Sequence, residues 1–354
     1  MHSPKAKTMP RETLIITGGL GFIGAHFVHY AFRKMRDATI VVVDKNTYAA
    51  DKSRMDNLIN SDRFFYEEGD ISDATFVDQT FAKYKPTKVI NFAAESHVDN
   101  SIASPKLFLK TNIEGTFTLL EAARKTWLDD SRQLKPEFLQ ARYYQISTDE
   151  VFGSLGAKGA FSETSNYAPN SPYSASKAAA DHWVRSYHRT YGVPVLISHC
   201  SNNFGPHQHS EKLIPTIIRN ALKGDAIPIY GKGENIRDWL YVTDHCQAIY
   251  TVLTNAQIGE NYTIGGNTER SNLSICKAIT SLLDTKAPNP NGTSYAQQIT
   301  LVTDRPGHDF RYATNTSKIK KDLGWQPQES FESALEKTVD HYLEKYNHLI
   351  GTRP

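Results

Sequence analysis

A glycine-rich turn near the start of the chain constrains the fold more than any other feature of the sequence. It follows the apolar run Leu14–Thr17, and Gly19, Gly21 and Gly24 have the spacing of a dinucleotide-binding fingerprint. Gly18, Gly21 and Gly24 fit a looser version of the same spacing. Glycine is required because the backbone must turn sharply, let a pyrophosphate approach and direct helix N–H groups at its charge. The turn therefore predicts a strand, a phosphate-binding loop and a helix.

A carboxylate at the end of the next apolar run strengthens this interpretation. Asp44 follows Thr39–Val43 and comes 20 residues after Gly24, where an acidic side chain can accept both hydroxyls of the adenine ribose. It would repel the 2′-phosphate of NADP, so we expect NAD, although the adjacent Lys45 leaves that preference open. A glycine turn without a ligand is the alternative, and the position of Asp44 argues against it.

The remaining pattern predicts an α/β fold. Apolar runs alternate with helical stretches, which is typical of a Rossmann-type, doubly wound parallel sheet. The expected strands are Leu14–Thr17, Thr39–Val43, Lys88–Ala93, Arg142–Ser147 and Val193–His199, and the expected helices are Gly24–Lys34, Ala74–Tyr84, Thr111–Trp127 and Ser174–Tyr191. After about Cys200 the sequence pattern changes and predicts loops with short helices and strands. We therefore expect an NAD-binding domain over 12–200 and a smaller C-terminal substrate-binding lobe over 201–346.

Composition limits the class of protein. The 354 residues carry a formal net charge of +2, too balanced for nucleic acid or an anionic membrane to be the main partner. Three widely spaced cysteines without a CxxC pair argue against a disulfide framework or a zinc site. His207 and His209 lack further ligands at suitable spacing, so no metal is expected. Because neither a signal peptide nor a run of 18 apolar residues is found, we expect a cytoplasmic protein.

A tyrosine and a lysine at helical spacing form the first part of a candidate catalytic set. Tyr173 and Lys177 share one helix face behind a proline-rich turn, so both can reach one ribose and one substrate hydroxyl. Tyr30 and Lys34 have the same spacing and are most simply interpreted as surface residues. The spacing alone therefore does not identify a catalytic pair, and the surrounding sequence must distinguish the two cases. We expect the lysine and a positively charged nicotinamide to lower the pKa of Tyr173 enough for general-base work.

Two adjacent carboxylates form the second part. Asp149 and Glu150 follow the run Arg142–Ser147 and Thr148, at the carboxyl end of a strand, where open α/β sheets perform their chemistry. A simple alcohol dehydrogenase needs only the tyrosine and lysine, so two further acid–base groups suggest a second proton transfer. A capping pair on a loop is the alternative that the residues alone leave open.

Six longer motifs reveal which family the chain resembles. They are Phe92–Ile102, Ser147–Gly153, Cys200–Pro206, Glu211–Pro215, Arg237–Val242 and Asp304–Asp309. With the glycine turn and the Tyr-Lys pair, they resemble the extended short-chain dehydrogenase/reductases, and most closely the family of dTDP-glucose 4,6-dehydratases. The likeness runs from about Glu12 to Tyr346.

The resemblance implies a carbon–oxygen lyase that reduces and reoxidises NAD within each turnover and forms dTDP-4-keto-6-deoxyglucose. Tyr173, assisted by Lys177 and Thr148, would deprotonate the 4-hydroxyl of dTDP-glucose as hydride leaves C4. Glu150 would then remove the C5 proton while Asp149 protonates the departing 6-hydroxyl, and hydride would return to C6.

Binding residues follow from the glycine turn and the resemblance together. The residues expected at NAD are Gly18, Gly21, Phe22, Ile23, Gly24, Asp44, Lys45, Asn46, Thr47, Asp70, Ile71, Ala93, Ala94, Ser96, Thr111, Tyr173, Lys177 and Asn203. The residues expected at the nucleotide-sugar are Ser96, Thr148, Asn202, Glu211, Lys212, Leu213, Pro228, Tyr230, Arg237, Asn272, Arg305 and His308. The family also implies a homodimer joined by a four-helix bundle of Thr111–Trp127 and Ser174–Tyr191 from each subunit.

Departures from the family pattern leave alternatives open. His207–Ser210, Phe152 and Phe310 replace residues that are common in the family, and they bear on nucleotide or sugar preference more than on the reaction. A UDP-glucose 4,6-dehydratase, or another NAD-dependent nucleotide-sugar dehydratase or epimerase, is the alternative within enzymes. From a different class, a Rossmann protein that only senses NAD would not need the active-site acids.

Overall fold

A seven-stranded sheet forms the centre of the computed structural model, which describes residues 12–304 and 306–349. The strands in chain order are β1 (Thr13–Thr17), β2 (Thr39–Asp44), β3 (Phe64–Glu68), β4 (Lys88–Asn91), β5 (Arg142–Thr148), β6 (Val195–Cys200), β7 (Asn202–Phe204), β8 (Ile227–Tyr230), β9 (Ile236–Tyr241), β10 (Asn261–Ile264), β11 (Glu269–Ser271) and β12 (Ile299–Val302). The large sheet has the order β10-β6-β5-β4-β1-β2-β3. Pairing is parallel between β10 and β6 and from β5 through to β3.

Helices connect these strands and cover the sheet. They are α1 (Phe22–Lys34), α2 (Ala74–Tyr84), α3 (Val98–Ala103), α4 (Pro105–Phe108), α5 (Gly115–Trp127), α6 (Pro172–Tyr191), α7 (Leu213–Lys223), α8 (Val242–Asn255), α9 (Asn272–Lys286), α10 (Ser317–Leu323) and α11 (Phe331–Lys345). All five residues of β1 are buried, as expected of a central parallel strand with both faces covered. This arrangement confirms the predicted Rossmann-type fold. Within the described ranges, no helix combines the length and apolarity needed to span a bilayer.

The chain divides into two compact units. Among the described residues, the first comprises 12–95, 106–145 and 180–196, and the second comprises 96–105, 146–179 and the residues from 197 onward. The second unit contains two small sheets, β11-β9-β7 and β12-β8. Its apolar core is formed by α7, α9 and α11 around side chains such as Phe204, Ile218 and Ile279.

Several predicted boundaries differ from those observed. The expected strand Lys88–Ala93 ends at Asn91, whose buried amide accepts from the Thr17 hydroxyl at 2.7 Å and donates to Gln145 Oε1 at 3.0 Å. The expected helix Thr111–Trp127 begins instead as a π-helical turn over Leu109–Glu114, followed by α5. Pattern reading also missed β10, because four residues between loops give too short a periodic signal.

Candidate active site

The glycine turn has the geometry that a pyrophosphate requires. Gly18 adopts a φ of 65°, and a Cβ at this position would lie 2.6 Å from the backbone nitrogen of Ala93. A Cβ on Gly24 would collide with the carbonyl oxygen of Gly18. Any side chain at either position would therefore push apart the loop and its neighbours.

The amino end of α1 is open for an anion. Gly21 is its N-cap, and no side chain among the described residues caps it. The first N–H groups of the helix, which begins at Phe22 and Ile23, therefore lack the side-chain acceptor that usually satisfies a helix start. The loop and the helix end together fit the diphosphate of a dinucleotide.

Asp44 ends β2, as the sequence predicts, and its carboxylate is fixed by the backbone. Oδ2 accepts from the N–H of Leu20 at 3.1 Å, and Oδ1 accepts from the N–H of Asn46 at 2.9 Å. Asn46 reaches this position with a φ of 55°, a conformation that asparagine tolerates better than most residues. Burial raises the pKa of Asp44, and the two N–H groups and Lys45 oppose that effect. The carboxylate is thus oriented before any ligand binds.

Other residues expected at NAD lie around this carboxylate in the first unit. Lys45 Nζ donates to Thr111 Oγ1 at 3.0 Å, and Lys45 is among the cations that act on Asp70. Burial works against ionisation of Asp70, but hydrogen bonds from Ser72 and the nearby lysines outweigh it and lower the pKa of Asp70. Asp44, Lys45, Asp70 and Thr111 therefore share one electrostatic environment.

The carboxyl end of β5 carries the predicted catalytic acids. Thr148 ends the strand and caps the short 3₁₀ turn Asp149–Phe152. Its hydroxyl accepts from the N–H of Glu150 at 3.3 Å. The Thr148 hydroxyl also lies 3.4 Å from Asp149 Oδ1 and hydrogen-bonds with Tyr173. One hydroxyl thus connects the Asp149 carboxyl group and the Glu150 backbone with the tyrosine.

Asp149 is a buried acid whose surroundings favour the protonated form. Burial raises its pKa well above the ordinary value, and the charges of Glu150 and Asp238 add to that effect against the opposition of Arg237. Asp149 is only 1% exposed, and Oδ2 has no hydrogen-bond partner among the described residues. A neutral carboxyl group with an unbonded oxygen is equipped to donate a proton. Glu150, the next residue, is only half-buried.

Tyr173 and Lys177 lie on α6, which begins at Pro172. Lys177 Nζ donates to the carbonyl oxygen of Ile146 at 2.7 Å, which attaches the helix to β5. Burial, together with the charge of Glu150, raises the pKa of Tyr173 well above its ordinary value. In the protein without cofactor, desolvation thus outweighs what the protein groups supply, and the lowering expected with the nicotinamide stays a prediction.

The residues expected at the nucleotide-sugar belong to the second unit, except that Arg305 lies outside the described residues. The structure brings Lys212 to Ser96, whose carbonyl oxygen accepts from Nζ at 3.1 Å. It also brings Tyr230 to His308, with ring centroids 6.2 Å apart. His308 Nδ1 lies 2.6 Å from Asp304 Oδ1.

The rest of this set lies on separate elements of the second unit. Leu213 and Asn272 begin α7 and α9. Glu211 Oε1 lies 3.8 Å from Lys212 Nζ. Pro228 is exposed on β8. Asn202 Oδ1, on β7, is buried without a hydrogen-bond partner among the described residues.

Two of the expected binding residues are already engaged by protein groups. Arg237 donates from Nη2 to the carbonyl oxygen of Asp309 at 2.9 Å and from Nη1 to the carbonyl oxygens of Ile236 and Phe310. Asn203 donates to Ser201 O at 3.0 Å, and its Oδ1 lies 2.9 Å from His245 Nδ1. Part of their role is therefore to hold the loops around them.

Sequence reasoning assigned no role to Asp238, although its motif was recognised. This residue is 1% exposed and accepts from the N–H groups of Gly266 and Thr268 and from the Thr314 hydroxyl. Its charge helps to raise the pKa of Asp149. The available signal was an acidic residue within β9, directly before the apolar run Trp239–Tyr241. Buried acids are rare unless they have a structural or functional role.

Comparisons with known proteins agree with this geometry. The sequence model described as GDP-mannose 4,6 dehydratase matches residues 15–338. A dTDP-glucose 4,6-dehydratase from Shigella flexneri is 49% identical over 343 residues, covering 94% of this chain and 93% of the relative. One from Neisseria meningitidis is 50% identical over 335 residues, covering 94% and 93%. DesIV, a dTDP-glucose 4,6-dehydratase from Streptomyces venezuelae crystallised with NAD, superposes with a TM-score of 0.85 at 39% identity, covering 95% and 98%.

The sheet order, the glycine turn and the position of Tyr173 and Lys177 define a Rossmann-fold protein of the extended short-chain dehydrogenase/reductase class. The matched region covers most of the chain. The protein belongs to the GDP-mannose 4,6 dehydratase family, and its resemblance to dTDP-glucose 4,6-dehydratases is confirmed.

Proposed function

We propose that this protein is an NAD-dependent dTDP-glucose 4,6-dehydratase that forms dTDP-4-keto-6-deoxyglucose. The observation that carries the proposal is the acid–base set at the end of β5, in which a buried, protonated Asp149 lies beside a half-buried Glu150. Oxidation of an alcohol needs one base, whereas elimination of water needs a second base and an acid. The relatives of this chain that are named for this reaction support the same conclusion.

The first step is removal of the proton from the sugar 4-hydroxyl. Tyr173 is the proposed base, and Thr148, which hydrogen-bonds with it, would pass or stabilise the proton. Lys177, held on the Ile146 carbonyl, would orient the ribose of the cofactor and add positive charge. Because burial and the charge of Glu150 raise the pKa of Tyr173, we expect its ionisation to depend on the positive nicotinamide and the bound substrate.

The second step is elimination of water across C5 and C6. The 4-ketone makes the C5 proton acidic, and Glu150 is the proposed base that would remove it. Asp149 would donate its proton to the departing 6-hydroxyl, since desolvation and two neighbouring carboxylates keep it protonated. The raised pKa of Asp149 supports the acid role for this member of the pair.

The glycine turn would hold NAD by its diphosphate, and Asp44 would accept the hydroxyls of its adenine ribose. When bound, NAD supplies the acceptor for the C4 hydride and the donor of that hydride to C6, and Glu150 would return a proton to C5. Lys45, Asp70 and Thr111 would surround the adenosine. The relative crystallised with NAD supports this cofactor.

The substrate assignment is tested by incubating the pure protein separately with dTDP-glucose and UDP-glucose and detecting 4-keto-6-deoxy sugar by mass spectrometry. We expect product from dTDP-glucose without net NADH formation. Product from UDP-glucose alone would transfer the assignment to the UDP-sugar alternative, and a 4-epimer without loss of water would contradict the dehydratase.

The proposed enzyme is a cytoplasmic homodimer, with a bundle built from α5 and α6 of each subunit. Exposed aromatic side chains on these helices support it: Phe117 and Trp183 are 38% and 42% exposed, with ring centroids 5.4 Å apart. Sedimentation equilibrium should give twice the 39.8 kDa chain mass. A mass of 39.8 kDa at working concentration would contradict the dimer.

A further inference from the structure

Lys45, the cation that follows the ribose carboxylate Asp44, has its ammonium group bound by neighbouring side chains. Nζ donates to Thr111 Oγ1 at 3.0 Å and lies 3.3 Å from Glu95 Oε1. The side chains of Lys45 and Glu95 are 28% and 14% exposed, so solvent screens this ion pair only in part. The ammonium is thus held in one place and neutralised there.

Glu95 is itself fixed by its backbone. Asn112 Oδ1 accepts from the N–H of Glu95 at 2.9 Å, and Asn112 Nδ2 donates to the Glu95 carbonyl oxygen at 3.0 Å. Asn112 and Thr111 are consecutive and both buried, on the π-helical turn Leu109–Glu114. One turn therefore supplies both the amide that clamps the Glu95 backbone and the hydroxyl that accepts from the lysine.

Negative charge dominates around this pair. Lys45 acts electrostatically on Asp44 and on Asp70, and Lys110 is the other cation that acts on Asp70. Glu68 also acts on Asp44, and with Glu95 the carboxylates outnumber the ammonium groups that act on these residues. Replacing Glu95 by a neutral residue would leave the Lys45 ammonium without its ion-pair partner, directly after the ribose carboxylate.

NADP differs from NAD by a phosphate on the adenine ribose 2′-hydroxyl, and dinucleotide sites accept that phosphate when a cation is close enough to pair with it. We propose that Glu95 is a cofactor-specificity residue, which selects NAD over NADP by binding Lys45 and keeping its ammonium from a 2′-phosphate. This inference rests on the proposed function, in which Asp44 receives the adenine ribose. Asp44 repels the phosphate, and Glu95 removes the cation that would offset that repulsion.

The test measures the dissociation constants of NAD and NADP by isothermal titration of cofactor-stripped protein, independently of dehydratase activity. Glu95→Gln keeps the side-chain size and the Asn112 clamp but removes the charge. We expect it to strengthen NADP binding relative to NAD by about fivefold, the size of a partly exposed charge interaction. Glu137→Gln is the matched control, because Glu137 is exposed in the same unit and the charge change is identical.

A double variant distinguishes loss of charge from a general disturbance. Lys45→Gln combined with Glu95→Gln should return the NADP-to-NAD ratio to the wild-type value, since the released cation is gone. Equal ratios for Glu95→Gln and Glu137→Gln, or a gain that survives in the double variant, would overturn the role of Glu95. If the wild-type protein bound neither cofactor, both the proposed function and this inference would be wrong. If it bound NAD tightly but Glu95→Gln left the NADP-to-NAD affinity ratio unchanged, only this inference would be wrong.

Discussion

Replacement of Asp149 by asparagine should separate the two chemical steps. The amide keeps the size of the side chain, but it has no acidic proton to give to the departing 6-hydroxyl. Tyr173 and Lys177 remain in place, so oxidation at C4 should still occur. We therefore expect Asp149→Asn to accumulate enzyme-bound NADH and the 4-keto form of the glucose nucleotide, without the 6-deoxy product.

The size of the effect follows from the environment of Asp149. One positioned acid contributes about 10²–10⁴ in rate, or about 3–5 kcal/mol of activation free energy. Oδ2 is buried without a protein partner among the described residues. We therefore expect the full loss of rate, because no neighbouring group in that part of the chain is placed to donate the proton instead.

The same variant should gain stability, with a defined pH dependence. Burial and the charges of Glu150 and Asp238 raise the pKa of Asp149 in the folded state, so the unfolded chain releases this proton at a lower pH than the folded chain does. As pH rises above the unfolded pKa of about 3.9, the unfolded state binds fewer protons and the wild type loses stability, until the folded pKa is passed. Asparagine does not ionise, so Asp149→Asn should unfold at a higher temperature than wild type at pH 8 and at the same temperature at pH 3.

Two measurements decide the outcome. Rapid mixing with dTDP-glucose, followed by NADH absorbance and mass spectrometry, reports the chemical step, and thermal unfolding at both pH values reports the linkage. Wild-type rates of 6-deoxy sugar formation would refute the acid role. If Asp149→Asn did not unfold at a higher temperature than wild type at pH 8, the raised pKa of Asp149 in the folded state would be refuted.

Three further substitutions test the remaining roles. Glu150→Gln should slow turnover by about 10²–10⁴ and suppress entry of solvent deuterium at C5, and rapid exchange at C5 would count against Glu150 as the base. Tyr173→Phe should show no bound NADH after mixing with substrate, in contrast to Asp149→Asn, and NADH at the wild-type rate would remove Tyr173 from the first step. Asp44→Ala should weaken NAD binding about tenfold through the lost ribose contact with an unchanged circular dichroism spectrum, and an unchanged NAD dissociation constant would exclude that contact.

Much of the fold could be predicted because its signals are local. The glycine spacing and the apolar runs at β1 and β2 identified the first β-α-β unit, and Asp44 lies at the end of β2 as expected. Spacing along one helix placed Tyr173 and Lys177 on the same element. These features depend on residues close in the chain, where periodicity and backbone geometry decide the structure.

The electrostatics of the site came only from tertiary packing. Nothing in the order Asp149-Glu150 says which carboxyl group is protonated, because that depends on desolvation and on Asp238, nearly 90 residues further along the chain. The same packing raises the pKa of Tyr173 in the protein without cofactor. The Lys45–Glu95 pair likewise depends on Asn112 and the π-helical turn. Residue types and spacing thus determined which groups the chain offers, whereas burial and long-range charge, which the linear sequence does not encode locally, decided their protonation and their partners.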